Sequence, residues 1–214
     1  MSRYSVKEIF YTLQGEGAQV GRAAVFLRFA GCNLWTGREQ DREKGPGGCS
    51  RWCDTDFVGV DGVGGGRFSS AEELARRVAL TWEGHTARPF VVCTGGEPLL
   101  QLDEDLVAAL HADNFEVAVE TNGTHPVPAG VDWVCVSPKQ GGRLIVRQGD
   151  ELKLVVPQLG INPREFELLD FAHLYLQPLD GPGREKHVKA AVDYCKANPR
   201  WRLSLQAHKW AGIP

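Results

Sequence analysis

Apolar positions along this chain switch repeatedly between strand-like runs and helix-like spacing. Residues 23–31, AAVFLRFAG, form a continuous apolar run of β-branched, aromatic and small residues closed by Gly31, which predicts a strand. The polar stretch 35–48, WTGREQDREKGPGG, has no periodicity and reads as an exposed inserted loop. Residues 59–66, GVDGVGGG, read as flexible. From 69 to 84 a helix is expected. Ser69 and Ser70 each have a Glu three positions on, Leu74, Val78 and Trp82 recur every fourth residue, and Gly84 stands ready to close it.

Further strands are expected at 89–98, which runs into a glycine turn, and in FEVAVETNG, VDWVCVSPK, ELKLVV and FAHLYLQPLD. Leu102, Leu106 and Leu110 share one face of a helix over 102–114, and Val188, Ala191, Val192 and Cys195 one stripe of another over 187–198. WRLSLQAHKW reads as a last strand. Strands alternating with crossovers imply an α/β fold, a parallel sheet with helices outside. About seven strands are too few for an eightfold barrel of ~250 residues, so the expected architecture is a partial (β/α) TIM-like barrel. In such folds the carboxyl ends of the strands carry the chemistry. The polar motifs GCN, TGGEP, ETNG, SPK and QPLD all fall at those ends, which points to one shared site.

The length, 214 residues, fits one domain spanning 1–214 with the 35–48 insertion inside it. A chain of this size buries roughly 70% of its unfolded surface, so it needs no disulfide staples. A net charge of −3 gives no footprint for a phosphate backbone, which argues against direct nucleic-acid binding. No apolar run is long enough to span a bilayer, no signal peptide is visible, and six cysteines in such a chain indicate a reducing compartment, so a cytoplasmic location is expected.

Cys32, Cys49 and Cys53 fall within 22 residues, beside Trp35 and Trp52, whereas Cys93, Cys135 and Cys195 sit in apolar runs and read as small buried hydrophobes. Thiols this concentrated in a reducing compartment point to metal. Their spacing alone leaves three readings open: an iron–sulfur cluster, zinc, or unliganded thiols. A closed zinc site and a [4Fe–4S] cluster both ordinarily take four ligands. Three cysteines on a cluster would leave one iron free to bind something else. In TGGEP, two glycines permit close approach to the backbone, and Glu97 offers a carboxylate to an ammonium group.

Cys32, Cys49, Cys53 and Gly95-Gly96-Glu97-Pro98 together resemble the radical S-adenosylmethionine superfamily. Sixteen residues separate the first two cysteines and three the last two, against the usual C-x3-C-x-aromatic-C, and Trp52 keeps the aromatic place. FYTLQGEG (10–17), GRAAVFLRFAGCNLW (21–35), CDTDF (53–57), VCTGGEPLLQ (92–101), VETNGT (119–124), VSPK (136–139) and LQPLD (176–180) follow in order along nearly the whole chain. This resembles the 7-carboxy-7-deazaguanine synthase family, in the compact type with a long first cysteine gap.

The resemblance implies a lyase that converts 6-carboxy-5,6,7,8-tetrahydropterin into 7-carboxy-7-deazaguanine with loss of ammonia, on the route to queuosine. A 5′-deoxyadenosyl radical takes hydrogen from C6, the ring contracts and the hydrogen returns. It further implies a [4Fe–4S] cluster on Cys32, Cys49 and Cys53, S-adenosyl-L-methionine on the open iron, and Mg²⁺ at Thr55, with Asp54 and Asp56 left out. Gly96 and Glu97, Ser137, Pro138 and Lys139, and Gln177, Pro178, Leu179 and Asp180 would hold the cofactor. Leu13, Gln14, Gly15, Glu16, Arg28 and Thr94 would hold the substrate, Arg28 through its carboxylate, with Pro214 capping the site by its own carboxylate. Asn122 is either a turn residue or part of the site. Trp201, Trp210 and His208 fit core packing or an interface. An electron donor such as flavodoxin and a homodimer are the family expectation. The competing readings are a small activating enzyme of the same superfamily, acting on a partner protein, and a non-enzymatic zinc-stabilised or electron-transfer module.

Overall fold

The computed structural model describes residues 3–45, 48–85 and 87–214. Pro46 and Gly47, in the predicted insertion, lie outside the described residues. The chain runs β1 (Tyr4–Leu13), β2 (Ala23–Phe29), β3 (Gly66–Phe68), α1 (Ala71–Ala79), β4 (Phe90–Gly95), α2 (Glu104–Ala112), β5 (Glu116–Thr121), β6 (Trp133–Val136), β7 (Gln148–Val156), β8 (Asp170–Pro178), α3 (Arg184–Ala197), β9 (Trp201–Leu203) and α4 (Ala207–Ala211). The strands form one sheet in the order β3-β1-β2-β4-β5-β6-β7-β8-β9. From β2 to β9 every pairing is parallel, and only β1 is antiparallel to its neighbours β2 and β3. No hydrogen bonds close the sheet among the described residues, so the architecture is an open, TIM-like partial barrel, as the strand and helix pattern predicts.

Successive residues of a strand face opposite sides. In β2, Val25, Leu27 and Phe29 join the core under α1 and α2, while Ala24 and Phe26 face inward. Leu74 and Val78 of α1 and Leu106 and Leu110 of α2 are fully buried in that same core, each contributing about 1.5–3 kcal/mol by leaving water. A second core forms under α3, where Ala191 and Trp201 pack on Leu152, Leu154, Leu174 and Leu176. Arg28, Thr94, Glu120, Lys153 and Gln177, toward the carboxyl ends of β2, β4, β5, β7 and β8, face one another at that edge of the sheet.

The structure departs from the predicted elements in four places. The strand β1 escapes the pattern because a bulge between Val6 and Glu8 inserts Lys7 as an extra residue. Val6 and Ile9 then reach the same core although three apart, which breaks the alternation. The stretch 59–66 is not a free loop. Gly62 donates to the Lys7 carbonyl at 2.9 Å, Ile9 to Val63 at 2.7 Å, and the chain then continues as edge strand β3. Helix α1 starts as expected, with Ser70 accepting from Glu73 N and the Glu73 carboxylate accepting from Ser69. It ends at Ala79 rather than near Gly84, because Trp82 leaves the helix to pack edge-on against Tyr11 and Phe115. The last strand stops at Leu203, and the chain turns into the short helix α4.

Candidate active site

The carboxyl edge of the sheet opens into a cavity of about 660 Å³, a volume in the usual range for small-molecule sites. Glu8, Phe10, Phe26, Arg28, Thr94, Glu120, Lys153, Val155 and Gln177 project into it from β1, β2, β4, β5, β7 and β8. Every residue expected at the site lines this cavity except Glu97 and Pro138.

The cysteine loop forms one wall. Cys32 follows the turn at Gly31 that ends β2, and its sulfur accepts the Leu34 N–H at 3.4 Å. Residues 48–51 form a 3-10 turn, and both Trp52 N (3.0 Å) and Cys53 N (2.8 Å) bond to the Cys49 carbonyl, so Cys49 and Cys53 stand one turn apart. The insertion is not simply exposed. Trp35 is 5% exposed and packs edge-on against Phe57. Arg42 lies over the Trp35 ring and donates to the Ser50 (2.8 Å) and Cys53 (3.1 Å) carbonyls, which fastens the insertion to the loop.

The donor set distinguishes among metals. Cys93 is fully buried in the core under the helices, Cys135 bonds Glu151 below the cavity, and Cys195 lies on α3, so three thiols reach the cavity. Among the described residues no three His, Cys, Asp or Glu side chains converge tightly enough for a single ion. Three thiols spread along a cavity wall suit a multi-atom cluster better than a closed zinc tetrahedron. Burial raises the Cys32 thiol and pushes Cys49 up to about 11. Binding to iron would supply the positive charge that deprotonation needs here.

The GGEP turn is braced from behind. A Cβ on Gly96 would lie 2.3 Å from the Gly31 carbonyl and 2.7 Å from Cys32 Cβ, so close approach to the cysteine turn is what requires glycine there. Glu97 has no exposed surface. Its carboxylate accepts from Thr121 Oγ1 (2.6 Å), Asn122 N (2.8 Å) and Leu99 N (3.0 Å), and its own N–H bonds the Gly31 carbonyl at 3.0 Å. Burial pushes the Glu97 carboxyl above the usual carboxylate range, partly offset by those bonds. The side chain therefore does not reach the cavity as expected: Thr121 and Asn122 at the end of β5 and Leu99 N of its own turn hold it, and the turn presents Gly95 and Gly96 instead. Asn122 is both turn and wall. It lines the cavity, accepts from Thr124, and donates to Asn33 beside Cys32 at 3.0 Å.

The floor is a charged network. Glu16 pairs with Lys153 Nζ and accepts from Gln206 at 3.1 Å, and Gln14 donates to Glu120 at 2.9 Å, with Lys153 3.8 Å from Glu120. Burial works against ionised Glu16, but the Lys153 charge outweighs it and the carboxyl is lowered. Lys153 is raised well above its ordinary value, since Glu120 and Glu16 overcome its own burial. Gly15 is required by close packing: a Cβ would meet His208 Nδ1 at 2.2 Å. Arg28 stands opposite Glu8 in register and donates to it through Nε at 2.7 Å. Among the described residues its two terminal nitrogens are unengaged.

Thr55 lines the cavity between two aspartates already taken by lysines, Asp54 by Lys209 and Asp56 by Lys7. Lys139 is held by the Ser137 carbonyl (2.8 Å) and Oγ (2.5 Å), and burial lowers it. Pro138 faces away, its carbonyl accepting from Gln158. Gln177 accepts from Ser204, and Pro178, Leu179 and Asp180 continue the wall. Pro214 also lines the cavity, a main-chain oxygen accepting from Thr12 at 3.1 Å. Trp201 is core and Trp210 is exposed, whereas His208 is cavity wall. Sequence reasoning missed Glu8, Glu120, Lys153, His208 and Lys209. The signal available was a charge inside an apolar strand, as Arg28 stands in AAVFLRFAG and Lys153 in ELKLVV.

No protein-family model matches the chain. It is 61% identical over 211 residues to the 7-carboxy-7-deazaguanine synthase of Bordetella pertussis, with 99% of both chains covered. It is 59% identical to that of Caulobacter vibrioides at the same coverage. The crystal structure of QueE from Escherichia coli superposes with a TM-score of 0.70 at 29% identity, covering 96% of this chain and 94% of that one.

Proposed function

The chain belongs to the 7-carboxy-7-deazaguanine synthase family of enzymes, and on that premise we propose that it converts 6-carboxy-5,6,7,8-tetrahydropterin to 7-carboxy-7-deazaguanine with release of ammonia. The observation that carries this reading is that three thiols, a glycine turn and a charged floor open into one cavity. The whole chain, 1–214, acts as one radical S-adenosylmethionine domain. Cys32, Cys49 and Cys53 hold a [4Fe–4S] cluster that supplies, when bound, one-electron cleavage of S-adenosylmethionine. No helix among the described residues is long and apolar enough to cross a membrane, and we assign the enzyme to the cytoplasm, with a flavodoxin-like donor and a homodimeric state.

The protein's own part is to bind, orient and shield. Glu16, kept ionised by Lys153, accepts hydrogen bonds from the guanidine-like edge of the pterin. Each carboxylate oxygen has two acceptor positions, so its contacts to Lys153 and Gln206 leave capacity. The terminal nitrogens of Arg28 take the substrate carboxylate as a charge-assisted pair. Thr55 offers a hard oxygen to Mg²⁺, and Thr94 packs beside the ring. Gly96, Ser137, Lys139 and the 177–180 segment cradle S-adenosylmethionine, Pro138 shaping the strand end. Glu97 supports that cradle from behind. Leu13, Gly15 and Pro214 close the substrate side against water.

The test is anaerobic turnover of the carboxytetrahydropterin by reconstituted protein with S-adenosylmethionine and reductant, product being read by chromatography. The wild type yields 7-carboxy-7-deazaguanine. Arg28→Ala raises KM roughly 10- to 100-fold, the range of one hydrogen bond to a charged group at about 1.5–3 kcal/mol. Absence of product from the wild type contradicts the function, and an unchanged KM removes Arg28 from the site.

A further inference from the structure

The last ten residues cross the cavity mouth on very little internal support. Helix α4 has five residues, no buried residue and no side-chain cap. A single turn of helix does not hold itself together in water. Its position must come from tethers, and these lie on both walls. On the substrate side, Ala207 N bonds the Gly15 carbonyl at 2.8 Å, Gln206 bonds Glu16, and Thr12 bonds Pro214. Across the mouth there are two anchors among the described residues, the Arg184 guanidinium of α3 over the Trp210 ring at 4.3 Å and the ion pairs of Lys209. Lys209 Nζ lies 2.6 Å from Asp54 on the cysteine loop and 2.8 Å from Asp180 at the end of β8.

Asp54 sits between Cys53 and Thr55, and Asp180 ends the 177–180 wall. One ammonium therefore joins three separate pieces of the site. His208, its neighbour in α4, faces the cavity against Gly15. We propose that Lys209 is a positioning residue, clasping Asp54 and Asp180 so that α4 stays closed over the mouth and presents His208 and Pro214 to the substrate. The proposal rests on the reading of the cavity as the carboxytetrahydropterin site. Its energetic source is modest. Lys209 is about one-third exposed and Asp54 more so, so the clasp is held by solvent-screened pairs. That makes it a closure that can open for exchange of substrate and product.

The experiment compares wild type, Lys209→Met, Lys209→Arg and Asp54→Asn as reconstituted full-length enzymes. Lys209→Met is expected to raise KM for the carboxytetrahydropterin roughly three- to tenfold, the range of one or two partly exposed ion pairs, with kcat within about twofold. Iron content and cluster absorbance stay at wild-type values. Lys209→Arg recovers most of the affinity, because a guanidinium reaches both carboxylates. Asp54→Asn shares the effect, and combining it with Lys209→Met adds less than the sum of the two. Added salt narrows the ratio between Lys209→Met and wild type. Amide hydrogen exchange across 207–213 is measured on the same proteins without substrate and quickens in Lys209→Met. Unchanged KM together with unchanged exchange overturns the clasp. A wild type that does not turn over the pterin overturns the functional reading instead, and the exchange data still decide whether Lys209 holds α4.

Discussion

Cys49→Ser is expected to purify folded but nearly colourless, with iron and sulfide lost and turnover lowered by about three orders of magnitude or more, because the hard chemistry is the cofactor's. The side chain is 4% exposed in the 3-10 turn that also aims Cys53. Serine fills the same space, so the fold survives while one of three thiolates is gone. Cys93→Ala provides the contrast. Cys93 is fully buried on the opposite face of β4, among Val91, Leu27 and Leu106. Its loss leaves a small void costing on the order of 1 kcal/mol, with full iron content. Anaerobic iron and sulfide assays on the two variants decide the matter. Equal iron in both would remove Cys49 from the ligand set, and loss in both would bring Cys93 into it.

Lys153→Met is the second large effect, and it falls on stability. The lysine is 5% exposed and is the cation between Glu16 and Glu120. Removing one partner of a buried pair leaves uncompensated charge and costs about 3–5 kcal/mol. For a chain of this length that corresponds to a fall in melting temperature of roughly 10 °C. The effect has a pH signature. Glu16 is lowered in the folded protein, so its contribution is present above the ordinary carboxylate value and is lost as pH falls through its folded value. Lys153 is raised, so its contribution is present below the ordinary amine value and is lost only as pH rises past its folded value. The wild type therefore exceeds Lys153→Met across the neutral range, and the gap narrows below about pH 4. Thermal melts of the cluster-free proteins at several pH values measure this. A gap that stayed constant into acid would mean the lysine acts through packing rather than charge.

Much of the site was legible because its residues are clustered in sequence at strand ends. Once the β2-to-β9 run is parallel, GCN, TGGEP, ETNG, SPK and QPLD must share an edge, and they do. What stayed hidden depends on contacts between distant segments. The bulge at Lys7 disguised β1, and with it Glu8, whose meaning appears only opposite Arg28. Glu120 and Lys153 are 33 residues apart in sequence and become one network only across the sheet. Helix α4 is too short to leave a periodic trace, so His208 and Lys209 could not be placed. Glu97 shows the converse. Its motif drew it toward the cofactor, but three donors on β5 and its own turn claim the carboxylate first.

The most direct measurement is electron paramagnetic resonance of the anaerobically reconstituted, reduced protein, with and without S-adenosylmethionine. Three cysteines on four irons predict a brown protein whose reduced signal changes when the sulfonium compound is added, as a ligand occupies the fourth iron. A colourless protein carrying zinc, or a cluster signal identical in both samples, would contradict the account at its root.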